Sequence, residues 1–232
     1  MKQERAPWFL VGLFTTALAT LSLETLDTRL LSVLTWYHLS FLAVSLAMLG
    51  MAAAAIRVYL DKERYEGEEA KAALARDAAR FAISVPLGYL VNISMPIPDE
   101  IDTNAVVSLG LTCLALGVPF YFSGLVVSGA LTRIPGRVGI VYAVDLIGAA
   151  LGSLLVLVLL SLGTMTTAVL VTSAVATVGA LGFRRYATGK AGLWLLAPVL
   201  LMLLAVLNTT SNDRVRLVYS KGHHPGHEER VA

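Results

Sequence analysis

Seven apolar runs alternate with short polar segments along the chain: Trp8 to Leu23, Leu39 to Leu60, Phe81 to Ile97, Ala105 to Leu131, Val138 to Leu162, Met165 to Phe183 and Gly192 to Leu207. Apolar helices of about 20 residues cross a hydrocarbon core of roughly 30 Å. In lipid a segment must satisfy its own backbone donors and acceptors, so runs this long and poor in charge are expected to be helices. The expected fold is all-α: a polytopic membrane protein with about seven transmembrane helices over residues 1–208, a cytoplasmic connector at 61–80 and a polar tail at 209–232.

The charges sort the loops into two sides. Basic residues gather at alternate loops, as Lys2 and Arg5, then Arg57, Lys62, Arg64, Lys71, Arg76 and Arg80, then Arg133 and Arg137, then Arg184, Arg185 and Lys190. Such loops face the cytoplasm. The opposite loops hold Arg29, the acidic Pro96-Ile97-Pro98-Asp99-Glu100-Ile101-Asp102, and the uncharged Gly163-Thr164. Seven crossings then bring the tail from Asn208 out on the far side, although it carries Arg214, Arg216, Lys221 and Arg230. One re-entrant segment would reverse that parity, and the Phe81 run, interrupted by Pro86, Asn92, Pro96 and Pro98, is the natural candidate.

Composition agrees with the pattern. The chain has 232 residues, 56% hydrophobic and 15% charged, with a mean hydropathy of +0.73. That is too apolar for a soluble domain of this size. The net charge of +2 is spread over cytoplasmic loops rather than gathered in a patch, which positive-inside topology explains better than nucleic-acid binding. Cys113, the single cysteine, allows no intrachain disulfide.

One polar group lies inside the most apolar run. Tyr142-Ala143-Val144-Asp145-Leu146-Ile147-Gly148-Ala149-Ala150-Leu151-Gly152 places a carboxylate where a charge costs at least a few kcal/mol unless paired, protonated or turned toward protein. Gly148 and Gly152 fall one and two turns beyond Asp145 on nearly the same face, so a second helix can approach there. Asp145 reads either as part of a packing face or as a functional charge, with Arg29 or Glu24 as candidate partner.

Three further stretches carry candidate chemistry. Glu24 and Asp27 share a helical face at the edge of the first run, where a carboxylate pair can host a cation or a proton; interfacial charge reaching into water is the simpler reading. Pro119 should kink the fourth helix, and its freed carbonyl, with Ser123, Gly117 and Gly124, can line a polar cavity. The segment 61–80 is rich in alanine and mixed in charge, which predicts a solvated helical connector. His223, His224 and His227 do not make a metal site, since Pro225 and Gly226 prevent helical pairing. No phosphate-binding glycine loop and no cysteine–histidine metal spacing occurs, so no cofactor is expected on this chain.

Several stretches resemble, in order, the N-terminal membrane region of bacterial multi-pass spermidine synthase-like proteins. They are Leu23-Glu24-Thr25-Leu26-Asp27-Thr28-Arg29-Leu30-Leu31-Ser32, Leu46 to Met51, Pro119-Phe120 with Ser123-Gly124, and the Tyr142 to Gly152 run. The resemblance covers helices one to five. It implies a bacterial inner-membrane protein whose helices precede a soluble aminopropyltransferase-like domain of the Rossmann methyltransferase type, binding decarboxylated S-adenosylmethionine or a related nucleotide. Val215 to Gly222 looks like the lead-in strand and turn of that domain, which is itself missing. The residues that carry over are Glu24, Arg29, Tyr142, Asp145, Gly148 and Gly152.

The expected function is therefore membrane anchoring or scaffolding for a spermidine synthase-like protein, with transferase chemistry only if a catalytic domain is joined. Two alternatives are a small polyamine or proton transporter using Asp145, and a membrane subunit serving a separate aminopropyltransferase-like chain. Expected partners are the lipid bilayer, such a domain or chain, and a second copy of the protein; nucleic acid is not among them.

Overall fold

The computed structural model describes residues 6–34, 40–94, 103–133, 138–188 and 196–210. They form seven α-helices: α1 (Ala6–Leu34), α2 (Ser40–Leu60), α3 (Gly67–Ser94), α4 (Thr103–Arg133), α5 (Val138–Leu162), α6 (Met165–Thr188) and α7 (Leu196–Thr210), with a short 3-10 turn at Glu63–Tyr65. The described residues contain no strand. Five of the helices, α1, α2, α4, α5 and α6, are long and apolar enough to cross a membrane; α7 is apolar but shorter.

Two helices depart from the pattern of apolar runs. α1 continues well past Leu23, because Leu26, Leu30 and Leu31 extend its buried stripe at helical spacing and nothing between them breaks the helix. α3 merges the connector with the third run. No boundary separates 61–80 from Phe81, and Gly67, at φ 62°, turns the chain into one helix of 28 residues. Its connector half is not a solvated arm: Ala70, Ala73, Leu74, Asp77 and Ala78 are buried along one face.

α1, α3, α4 and α6 form the inner bundle, in which α3 packs between α4 and α6, and α1 lies against α6 and α4. α5 rests on α1, α2 on α4 and α1, and α7 on α6. Phe9, Leu13, Leu74, Val126 and Phe183 fill one end of the core, and Leu23, Leu26, Leu30, Phe81, Val85, Tyr89 and Met165 the other.

The contacts also fix the direction of each pair. Gly88 meets Ala115 while Gly129 meets Leu74, so α3 and α4 run antiparallel. Ser173 bonds to Ala82 and Tyr89 to Thr166, so α3 and α6 do too. Gly148 touches Phe14 and Gly152 touches Leu18, so α5 runs parallel to α1. α3 thus passes alongside α4 and α6 over the same depth, despite the charges in its first half.

Proline-freed carbonyls find partners at both faces of α3. Pro86 has no N–H to offer Ala82 four residues before it, and the Ser173 hydroxyl of α6 donates to that Ala82 carbonyl at 3.0 Å. Pro119 likewise releases the Ala115 carbonyl, and a Cβ at Gly88 would lie 2.6 Å from that oxygen. Only glycine leaves room there, with its Cα hydrogens facing the oxygen.

Candidate functional site

At the basic end of the bundle α3 carries a buried carboxylate. Asp77 is 0% exposed and accepts hydrogen bonds from Arg64 Nη2 at 2.8 Å, Tyr65 Oη at 2.8 Å and Arg80 Nη1 at 3.0 Å. Two guanidinium groups and a phenol therefore balance one charge, which is the condition under which a buried carboxylate is tolerated. Beside it Arg133 of α4 reaches Glu66 at 3.3 Å and the Val58 carbonyl at 3.4 Å. Burial, then the bond to the Asp77 carboxylate and that charge itself, push the Tyr65 phenol up from its ordinary value. The cluster clamps the turn after α2 onto α3. Sequence reading missed it, although Asp77 falls in register with Ala70, Ala73 and Leu74 on the alanine face.

The Asp145 stretch forms the seam between α5 and α1. Gly148 and Gly152 are buried, and a Cβ at Gly148 would come within 2.5 Å of the Phe14 carbonyl oxygen. A Cβ at Gly152 would collide with the Leu18 carbonyl, and Ser22 Oγ donates to the Gly152 carbonyl at 2.9 Å. Asp145 is half-buried on the same stripe, between Val141 and Gly148. It makes no hydrogen bond or ion pair among the described residues. It sits seven residues into α5, roughly 10 Å from the helix start rather than at mid-span. Tyr142 lies on the exposed side of α5.

The parallel packing separates Asp145 from its expected partners. Asp145 is level with the stretch of α1 just before Phe14, so Glu24 lies about 20 Å further along the axis and Arg29 further still, exposed on α1. Neither reaches it. Pro119 and Ser123 are also apart from it, buried on α4; Ser123 Oγ donates to the Phe120 carbonyl of its own helix at 3.2 Å, and Gly124 receives Met51 and Ala54 of α2. The Val215 to Gly222 stretch and the histidine tail lie outside the described residues.

Asp77 is not the sole buried carboxylate among the described residues. Asp27 is 5% exposed and lies on the inward stripe of α1, with Leu23 one turn before and Leu30 one turn after, both in the core with Tyr89 and Val85 of α3 and Met165 of α6. Glu24, half-buried, precedes it by one turn. Unlike Asp77, Asp27 has no hydrogen bond or ion pair among the described residues. Glu24 and Arg29 are more exposed than Asp27. Further polar groups share this depth: Tyr89 Oη and Thr166 Oγ1 are bonded at 2.7 Å, and Asn92 donates from Nδ2 to the Gly88 carbonyl at 2.8 Å while its buried Oδ1 has no partner.

Among the described residues no group of three or more acidic, histidine or cysteine side chains is placed to hold a metal ion. No family model, curated protein or solved structure matches the chain. Fold and site define a class: a multi-pass, all-α membrane protein whose described residues contain no β-sheet catalytic-type fold.

Proposed function

We propose that this chain is the membrane-anchoring domain of a spermidine synthase-like protein of the bacterial inner membrane, without catalysis of its own, and that it crosses the membrane seven times. The observation that carries the reading is the α1–α5 seam. The two stretches with the most marked resemblance, Glu24 to Arg29 and Tyr142 to Gly152, lie on helices packed together through Gly148, Gly152 and Ser22. The glycines of that pattern serve helix contact, as an anchor requires. The Asp77 clamp adds a fixed inner face on which a separate soluble synthase-like chain can rest. Seven crossings are supported by the pairing of α3 with α4 and α6, and by the Thr167–Thr209 hydroxyl contact at 2.9 Å that sets α7 antiparallel to α6.

Two experiments test this reading. A reporter joined at Ala232 is expected to be active outside the cytoplasm, and cytoplasmic activity would remove one crossing. Proteoliposomes carrying the chain should take up labelled spermidine or putrescine no faster than protein-free vesicles. Saturable uptake that disappears in Asp145→Asn would replace anchoring with transport.

A further inference from the structure

A carboxylate in the interior of a helical bundle needs a counter-charge, because neither water nor lipid will solvate it there. Asp77 has three donors around it. Asp27 has none among the described residues, although it is 5% exposed and fixed in register by Leu23 and Leu30.

The interior groups level with Asp27 are oxygen ligands, while Arg29, two residues on, is exposed. α1 meets α6 through Gly12 with Gly182 and Thr16 with Gly179; continued along the antiparallel pair, Asp27 comes level with Thr166 to Ala168. α6 meets α3 through Thr166 with Tyr89, so Asp27 is also level with Gly88 and Tyr89, and Asn92 follows one turn on. On α3, Asn92 continues the stripe of Phe81, Val85 and Gly88, which faces the space between α4 and α6, and Asp27 on α1 faces the same interior. Asn92 is 2% exposed. Its Oδ1 is a buried acceptor with no partner, and the nearly buried Asp27 adds a carboxylate with no donor among the described residues; together they mark a position for a positive charge bound by oxygen.

We propose that Asp27 and the Asn92 Oδ1, with Glu24 at its edge and the Tyr89–Thr166 hydroxyl pair beside it, form a binding site for one compact monovalent cation in the half of the bundle opposite the Asp77 clamp. A single carboxylate with neutral oxygens matches a monovalent ion better than a divalent one, which takes more anionic ligands. A proton on Asp27 supplies the same charge from another source. The other ionisable groups at this level among the described residues are Glu24, half-buried, and Arg29, exposed, on α1, Tyr89 on α3 and Cys113 on α4; α2, α5, α6 and α7 bring none. The site is independent of the anchoring role and of Asp145.

The test is thermal unfolding of the purified, full-length protein in detergent, at constant ionic strength, with sodium, potassium or N-methylglucamine as the sole cation. Sodium or potassium is expected to raise the midpoint saturably, by roughly 3 °C or more at saturation, relative to N-methylglucamine. Asp27→Asn, which keeps the shape and removes the charge, should abolish that rise; Asn92→Ser should move its half-saturation to at least tenfold higher ion concentration. If the midpoint responds only to acidification, and that response is lost in Asp27→Asn, the site holds a proton in place of the metal ion and the monovalent-cation assignment is overturned. A midpoint indifferent to all of these, or an ion-dependent rise surviving in Asp27→Asn, overturns the site altogether. Should Asp27→Asn fail to fold, the comparison of sodium, potassium and N-methylglucamine on the wild type and Asn92→Ser decides the same question.

Discussion

Ser22 of α1 donates its hydroxyl hydrogen to the carbonyl of Gly152 on α5, 2.9 Å away, at the point where the two backbones are closest. The bond is possible only because position 152 has no side chain. Gly152→Ala would drive a methyl group into the Leu18 carbonyl, which is backbone and cannot rotate aside. A loss of about 1–3 kcal/mol is expected for such overpacking. Gly110→Ala on α4, where a Cβ meets nothing within 4 Å, should be neutral or stabilising by up to about 1 kcal/mol. Denaturant unfolding in micelles compares the two, and equal effects would remove the seam as the cause.

Pro86 and Ser173 should be energetically coupled through a carbonyl that belongs to neither. Ser173→Ala leaves the Ala82 oxygen without a donor, at a cost of about 1–3 kcal/mol. In a Pro86→Ala background the restored N–H of residue 86 supplies the bond, so the same serine change should cost roughly 1 kcal/mol less. A double-mutant cycle measures the difference directly. Simple additivity would mean that the hydroxyl does not replace the missing amide.

Removing the Asp77 carboxylate strands two arginines and a phenol. Asp77→Ala is expected to destabilise by about 3–5 kcal/mol, and Tyr65→Phe, which deletes one neutral donor, by about 1–1.5 kcal/mol. Limited proteolysis between α2 and α3 should report the same order, with cleavage rising first in Asp77→Ala. Unchanged cleavage in that variant would show that the turn is held by something else.

The pH dependence of the clamp follows from the phenol. Folding raises the Tyr65 pKa above the ordinary 10.0, through burial first and the Asp77 bond second, so the folded protein holds this proton more tightly than the unfolded chain. Its contribution to stability is therefore complete below pH 10 and is lost as the pH climbs beyond it. Stability profiles of wild type and Tyr65→Phe should run parallel up to about pH 10 and then converge as the wild type falls more steeply. A phenol titrating at 10.0 by ultraviolet absorbance, and absent from the spectrum of Tyr65→Phe, would contradict this.

How far the sequence reached depended on whether a residue's surroundings were local. Val138 to Leu162 is unbroken in hydrophobicity and bounded by polar residues, and α5 has those same limits. The approach of a helix at Gly148 and Gly152 was also legible, since two small residues a turn apart state the geometry by themselves. The sequence divides α3 in two, because the charges at 61–80 outweigh an alanine stripe whose partners, on α4 and α6, are remote in sequence. The Asp77 cluster and the burial of Asp27, which the sequence offers only as half of an interfacial pair with Glu24, escape a local reading for the same reason. Each sits among solvent-compatible neighbours, Arg76 and Arg80 in one case, Glu24 and Arg29 in the other, and only the packing of distant helices removes it from water.

The two proline-freed carbonyls give α3 a vernier scale. Ser173 must stand opposite Ala82, and Gly88 opposite Ala115, for both oxygens to be accommodated, so the depth at which α3 sits against each neighbour is set by two backbone carbonyls rather than by apolar side-chain shape. Leucine can drift to isoleucine or valine along these interfaces without letting a helix slide. A shift of one turn, which a purely greasy interface would tolerate, would bury an unmet carbonyl on both sides of α3 at once.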